Sequence, residues 1–265
     1  MTRIIVVGKG GVGKTTISAL LSIILSRRGL DVIALDTDST PNLAMSLGLS
    51  LKESESIKPL VRDDELIFRR TGARPGESWG SLFKLNPIVD DLIDRIGVII
   101  GDKLKLVVVG GIQASGEGCL CPSIALAKAF LRHVLGKLSR KHVVIVDSEA
   151  GVEVFGRGLA ENFDYAIAVS EPTLKSIHIS LRMINMAREL NIKNTILLVN
   201  KVQDTKHTNN LIEGMIDTAG IPVYLTPYDP ALALLEYHGY GLNSLGEDSL
   251  IYRNISGFID KYIVL

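Results

Sequence analysis

Gly8-Lys9-Gly10-Gly11-Val12-Gly13-Lys14-Thr15-Thr16 stands between the apolar run Ile4-Ile5-Val6-Val7 and a second apolar-rich stretch, residues 17–25. That order predicts strand, glycine loop, helix, and it is the context in which the pattern G-x-x-x-x-G-K-[ST] means phosphate binding. Glycines reach the unusual dihedrals in which successive backbone N–H groups converge on one anion. The helix that follows contributes its unpaired first-turn N–H groups and a partial positive charge. Lys14 is then placed to bridge the β- and γ-phosphates, and the Thr15 hydroxyl to ligate Mg²⁺. Gly8, Lys9, Gly10, Gly11, Val12, Gly13, Lys14, Thr15 and Thr16 are therefore the expected cradle of a nucleoside triphosphate.

Lys9 is not explained by that reading. A lysine at the mouth of the loop reaches its own γ-phosphate poorly, but it could reach a phosphate held by another subunit. GKGGVGKTT at positions 8–16 resembles the deviant phosphate loop of the MinD, ParA and nitrogenase-iron-protein class. The resemblance implies that Lys9 crosses a two-fold axis to the partner's nucleotide, and so implies an ATP-sandwiching homodimer.

The chain has 265 residues, 46% apolar and 22% charged, a balance and length that suit one α/β domain over residues 1–265. Lysine plus arginine equals aspartate plus glutamate at 29 each, so no basic excess points to nucleic acid. Arg27-Arg28, Arg69-Arg70 and Arg140-Lys141 read as solvated surface pairs. No apolar run approaches the ~20 residues of a membrane span. Glycines and Lys9 interrupt the N-terminal apolar run, unlike a secretion signal, so a cytoplasmic setting with no membrane partner is expected. In a reducing compartment the two cysteines point to metal binding or catalysis rather than a disulfide.

Arg27-Arg28-Gly29 should close the first helix with positive charge and a glycine cap. Residues 31–35 read as a buried strand ending in Asp36-Thr37-Asp38. Of two carboxylates at a strand end beside a phosphate loop, one can hold Mg²⁺ through water and the other can orient the attacking water. A plain helix cap near Pro41 is the bland use of Asp36. By the family resemblance, Asp36 matches the outer magnesium shell and Asp38 the residue organising the hydrolytic water, which makes Lys9, Lys14 and Asp38 the catalytic candidates. Residues 49–80 break the rhythm and read as an excursion, with one short strand at Leu66-Ile67-Phe68. A short helix at 87–93 and a strand at 104–109 follow. Residues 142–146 form another buried strand, closed by Asp147-Ser148-Glu149-Ala150-Gly151. Aspartate at a strand end with glycine four later is the second-switch pattern of phosphate-loop proteins. Asp147 would hold a magnesium-bound water, and the Gly151 N–H would sense the γ-phosphate.

Strands at 165–169, 195–199 and 221–225 continue the alternation, with a helix from Pro172-Thr173 to about Leu190 and a last helix over 250–262. Asn200-Lys201 closes one strand, and its asparagine could meet a purine edge, a use the resemblance supports for adenine. In relatives the loop matching Pro227-Tyr228-Asp229 borders the base. The expected fold is α/β: a single-domain phosphate-loop NTPase, its mostly parallel, twisted sheet carrying helices on both faces.

Cys119-Leu120-Cys121-Pro122 closes a glycine-rich loop and opens a helix whose apolar residues recur at helical spacing to Leu138. A helix N-terminus favours the thiolate, and two sulfurs at i and i+2 can clamp one soft metal ion. One pair supplies two ligands where a tetrahedral site takes four, so a two-fold axis would supply the rest from a partner. Ni²⁺ and Zn²⁺ both suit four thiolates, and the sequence does not choose. A redox pair more often has the spacing Cys-x-x-Cys, absent here.

Gly116-Glu117-Gly118-Cys119-Leu120-Cys121-Pro122, Asp147-Ser148-Glu149-Ala150-Gly151 and Tyr228-Asp229-Pro230-Ala231-Leu232 together resemble the CooC-type ATPases, which assist nickel insertion into carbon monoxide dehydrogenase. The resemblance covers most of the chain and is weakest over residues 49–100. It implies that ATP binding and hydrolysis gate metal capture and delivery, with apo carbon monoxide dehydrogenase as client. A MinD- or ParA-like positioning ATPase would need a basic patch or basic amphipathic tail, which is not visible. A reductase like the nitrogenase iron protein would bridge its dimer with a cluster held by two separated cysteines, where this chain has one adjacent pair.

Overall fold

The computed structural model describes residues 1–76, 82–111, 121–137, 142–148, 151, 157–215 and 220–265. The chain runs β1 (Thr2–Gly8), α1 (Lys14–Arg27), β2 (Asp31–Asp36), α2 (Leu43–Ser46), α3 (Leu51–Ser56), α4 (Asp64–Thr71), α5 (Leu92–Ile96), β3 (Val98–Gly101) and β4 (Leu104–Val108). It continues with α6 (Cys121–Lys137), β5 (His142–Asp147), α7 (Arg157–Ala160), β6 (Tyr165–Ser170), α8 (Leu174–Glu189), β7 (Asn194–Val202), α9 (Thr205–Glu213), β8 (Val223–Pro227), α10 (Pro230–Tyr237) and α11 (Leu250–Tyr262). Short 3₁₀ turns occur at Leu60–Arg62 and Leu242–Ser244.

The strands form one eight-stranded sheet in the order β3-β4-β2-β5-β1-β6-β7-β8. Every pairing is parallel except β3 with β4. The inner strands are unbroken Val/Ile/Leu/Ala runs because both faces are covered. Ile5, Val7, Leu35 and Val146 pack with Phe130, Leu131 and Ile177 of α6 and α8. Their neighbours Ile4, Val6, Ala34 and Ile145 face the other way, toward Leu20 and Ile24 of α1 and Phe258 of α11. Because α1 lies between the sheet and α11, residues 17–25 are all buried. β1 and β6 are neighbours whose connections leave in opposite directions, β1 toward β2 and β6 toward β7, and the crevice at the carboxyl ends of such a pair is where open α/β sheets bind ligands. The expected α/β phosphate-loop fold is the one observed.

Two expectations fail on local chemistry. Leu66-Ile67-Phe68 is not a strand but the middle of α4. Asp63 accepts the Leu66 N–H as N-cap, Asp64 and Glu65 occupy the first turn, Arg69 and Arg70 the last, and Gly72 closes it in the left-handed region. Those end signals outweigh an apolar triplet that suits either element. The short helix expected at 87–93 instead occupies Leu92–Ile96. Ser50 and Glu53 form a reciprocal capping box that starts α3, inside the stretch read as irregular.

Gly8 shows how tightly β1 delivers the loop. Its φ is +153, and a Cβ there would run into the Val169 carbonyl oxygen of β6, its partner in register. Gly8→Ala should therefore lower the unfolding free energy by about 2–3 kcal/mol, read as a lower urea midpoint at unchanged slope.

Candidate functional site

The phosphate loop leaves β1 at Gly8 and enters α1 at Lys14, with Gly11 at φ +81 and Gly13 at φ +98. A side chain added at Gly10 or Gly11 would meet open space, so the loop's mouth is clear for an anion. Lys9, Gly10 and Gly11 are exposed, whereas Val12 is buried under the loop and Lys14 is nearly so. Lys14 Nζ curls back to donate to the Lys9 carbonyl at 3.2 Å.

Two strand ends bring carboxylates beside it. Asp36 and Asp147 end the adjacent strands β2 and β5 in direct register, and both are buried. Asp147 accepts the Thr15 hydroxyl at 2.7 Å and the Ser18 hydroxyl at 3.0 Å. Ser18, one turn after Thr15 on α1, was not singled out in the sequence; its spacing from Thr15 was the available signal. Asp36 accepts the Asp38 N–H at 3.1 Å and the Leu43 N–H at 3.0 Å. Its bland use as a cap for the helix after Pro41 is therefore realised together with its place in the site. Asp38 is half-buried, and its Oδ1 accepts the Thr40 N–H and hydroxyl at 2.8 and 3.0 Å, which holds residues 38–40 in a tight turn.

Burial, and then the facing Asp147, push the Asp36 carboxyl up from 3.8 to about 7. Burial also raises Asp147, opposed by the Thr15 and Ser18 hydroxyls and the nearby Lys14 charge. Two buried acids are costly to ionise together, and a divalent cation beside them reverses that cost. The Thr15 hydroxyl already resting on Asp147, the adjacent acids and the clear glycine mouth fit a Mg²⁺–nucleotide complex. Thr15 would ligate the ion directly, with Asp147 and Asp36 behind it.

At the sheet's other side, Asn200 Nδ2 donates to the Val12 carbonyl at 2.9 Å, and Lys201 Nζ to the Gly11 carbonyl at 2.7 Å. A Cβ at Gly13 would strike the Asn200 amide. These residues brace the loop from below, a role the sequence did not announce. Pro227 ends β8, Tyr228 is exposed, and Asp229 is buried. The Asp229 carboxylate takes the Ala231 N–H at 2.9 Å as cap of α10 and the Ile251 N–H at 3.2 Å, so it pins α10 to α11. Gly151 is buried. Cys121 is exposed at the first residue of α6, while Cys119 lies outside the described residues.

A mostly parallel sheet with a glycine loop leading into α1 and an aspartate at the end of β5 defines a phosphate-loop nucleotide hydrolase. Residues 4–240 match the CobQ/CobB/MinD/ParA nucleotide binding domain. An uncharacterized ATP-binding protein of Methanocaldococcus jannaschii is 41% identical over 261 residues, covering 98% of each chain. The carbon monoxide dehydrogenase accessory protein CooC of Rhodospirillum rubrum is 39% identical over 205 residues, covering 76% of this chain and 74% of that protein. The septum site-determining protein MinD of Pyrococcus horikoshii, solved with Mg-ADP, superposes with a TM-score of 0.65 at 20% identity, over 98% and 97% of the two chains. The chain belongs to the CobQ/CobB/MinD/ParA nucleotide-binding family, as a deviant phosphate-loop ATPase of the CooC type. Among the described residues, no helix is long and apolar enough to cross a membrane.

The folded state keeps the Asp36 proton up to about pH 7, whereas an unfolded chain releases it near 3.8. The native state thus binds more protons in that window, and this group's contribution to stability falls as pH rises from about 4 to 7. Asp36→Asn, which cannot ionise, should raise the melting temperature of the nucleotide-free protein by about 3 °C at pH 8. The gain should be smaller at pH 5 and vanish only near pH 4, a trend that calorimetry across this range follows directly.

Proposed function

We propose that the chain is an ATP-dependent metal-delivery factor, in which Mg-ATP binding closes a homodimer and hydrolysis opens it. The observation that carries the nucleotide half of this reading is the phosphate cradle with Thr15 resting on buried Asp147 at 2.7 Å. Mg-ADP in the fold neighbour MinD agrees with it. Lys14 neutralises charge on the β- and γ-phosphates. Asp38, held in its turn by Thr40, orients the attacking water. The Gly151 N–H reads the γ-phosphate. Lys9, exposed at the loop's mouth, reaches the partner's nucleotide. Asn200, Lys201 and the loop at Pro227, Tyr228 and Asp229 border the base side. Catalysis in such a site is mainly charge stabilisation and positioning.

The metal side rests on Cys119 and Cys121 together with the likeness to the CooC protein of Rhodospirillum rubrum. Cys121 at the exposed start of α6 is favourably placed to be a thiolate. In the proposed site, Cys119 and Cys121 share one Ni²⁺ or Zn²⁺ with their symmetry mates. ATP and metal then both favour the closed dimer, so each tightens the other's binding. Apo carbon monoxide dehydrogenase is the proposed client, by analogy with that relative. Nickel is cargo in this scheme, and Mg²⁺ is the resident ion.

Action of Lys9 in trans has a stringent test. Lys9→Ala and Asp38→Ala should each be inactive alone. Their mixed dimer has one site with Asp38 intact and Lys9 supplied by the partner, so phosphate release should return to roughly half the parent's rate per dimer. No recovery in a heterodimer verified by mass would argue that Lys9 acts within its own subunit.

The metal reading requires one ion per two chains. Equilibrium dialysis with Ni²⁺ and Zn²⁺, combined with sedimentation, should show that ratio and a shift to dimer with ATP. Cys119→Ser with Cys121→Ser should abolish binding while nucleotide affinity stays within about twofold, because the cysteines supply no phosphate ligand. One tight ion per monomer would exclude a bridging site.

A further inference from the structure

Four of the loop's carbonyls are tied down. The Lys9 carbonyl accepts from Lys14 Nζ at 3.2 Å, that of Gly11 from Lys201 Nζ at 2.7 Å, and that of Val12 from Asn200 Nδ2 at 2.9 Å. The Gly13 carbonyl accepts from the Ile17 N–H at 3.0 Å, inside α1. In a planar trans peptide the C=O and the next residue's N–H point in opposite directions. Fixing the carbonyls of Gly11 and Val12 on one side therefore aims the N–H groups of Val12 and Gly13 to the other.

Asn200 is short and buried, so its aim is set by packing. Lys201 is different. Its long side chain is 41% exposed, and its backbone lies in the left-handed region at φ 61, beside the irregularity that interrupts β7 pairing. Four rotatable bonds and three donors give an ammonium many alternatives to one carbonyl. What restricts it is Glu171, whose Oε1 lies 2.8 Å from Lys201 Nζ. Glu171 is itself fixed. Its N–H donates to the Ser176 hydroxyl at 2.9 Å, and its carbonyl accepts the Thr173 N–H at 2.7 Å, at the capped start of α8. The pair is 41% and 40% exposed, so it adds little to global stability.

We propose that Glu171 is a positioning residue for the phosphate loop: anchored at the N-terminus of α8, it holds Lys201 Nζ on the Gly11 carbonyl and so keeps the Val12 amide turned toward the phosphates, beside the Gly13 amide that Asn200 aims through the Val12 carbonyl. The proposal rests on the reading of this loop as a nucleotide cradle, and it deepens that reading. It makes three claims that a purely structural ion pair would not. Loop amides loosen when Glu171 loses its charge, even without nucleotide. ATP and ADP weaken together, because the Val12 amide serves the phosphates both share. And Glu171 acts only through Lys201.

The experiment compares the parent with Glu171→Gln, Lys201→Met and the double variant, with melting temperature recorded for each. Amide hydrogen exchange of the nucleotide-free protein reports the loop at 8–13. Calorimetric titration gives Kd for Mg-ATP and Mg-ADP. Glu171→Gln should melt with the parent, exchange faster in the loop, and bind both nucleotides about 3–10-fold more weakly. In the Lys201→Met background, adding Glu171→Gln should change the Kd by less than about 1.5-fold. Unchanged loop exchange in Glu171→Gln overturns the proposal. So does an equal Kd loss from Glu171→Gln in both backgrounds, which would mean Glu171 acts independently of Lys201. Failure of the parent to bind either nucleotide would count against the nucleotide reading instead, and the exchange measurement would still decide whether Glu171 orders the loop.

Discussion

A phosphate loop presents backbone N–H groups to one side, and it can do so only if its carbonyls are satisfied on the other. That constraint organises this protein. The loop's carbonyls are answered by its own Lys14, by Asn200 and Lys201 at the end of β7, and by the first turn of α1. β1, β6 and β7 lie side by side in the sheet, so the loop leaves one strand and is braced from another two places away. Gly8, pressed against the Val169 carbonyl, leaves β1 no room to carry a side chain there.

Charge is arranged around the same loop. Asp36 and Asp147 are brought into register by the parallel pairing of β2 with β5, and burial makes both reluctant to ionise. Hydroxyls from Thr15 and Ser18 meet Asp147 from α1. The protein thus stores an unfavourable acidic pair at the point where a cation and a phosphate chain would offset it. Storing strain or charge where a ligand relieves it is a common economy of binding sites.

Much of this was legible in the sequence because the signals are local. The loop motif, the strand runs at 31–35 and 142–146 with their closing aspartates, and the periodicity of α6 and α11 each lie within a few consecutive residues. Where local signals competed, the reading slipped. Leu66-Ile67-Phe68 suits a strand by composition, but acidic residues before it and arginines and Gly72 after it made a helix whose Leu66 and Ile67 pack into the core. β3 was invisible because an edge hairpin strand of four residues, Val98–Gly101, has too short a pattern to be read alone.

The sequence by itself determined the order of strands and helices, the phosphate loop, and the residue types at each strand end, because backbone preference and side-chain periodicity act over a few residues. Tertiary structure alone decided what those strand ends touch. Asn200 and Lys201 meet the loop across 188 and 190 positions of chain, Glu171 reaches Lys201 across 30, and Asp229 joins α10 to α11 across 22. Such pairings follow from strand order and register, and those are set by how the two apolar faces of the sheet are buried together, a property of the whole chain that no single stretch carries.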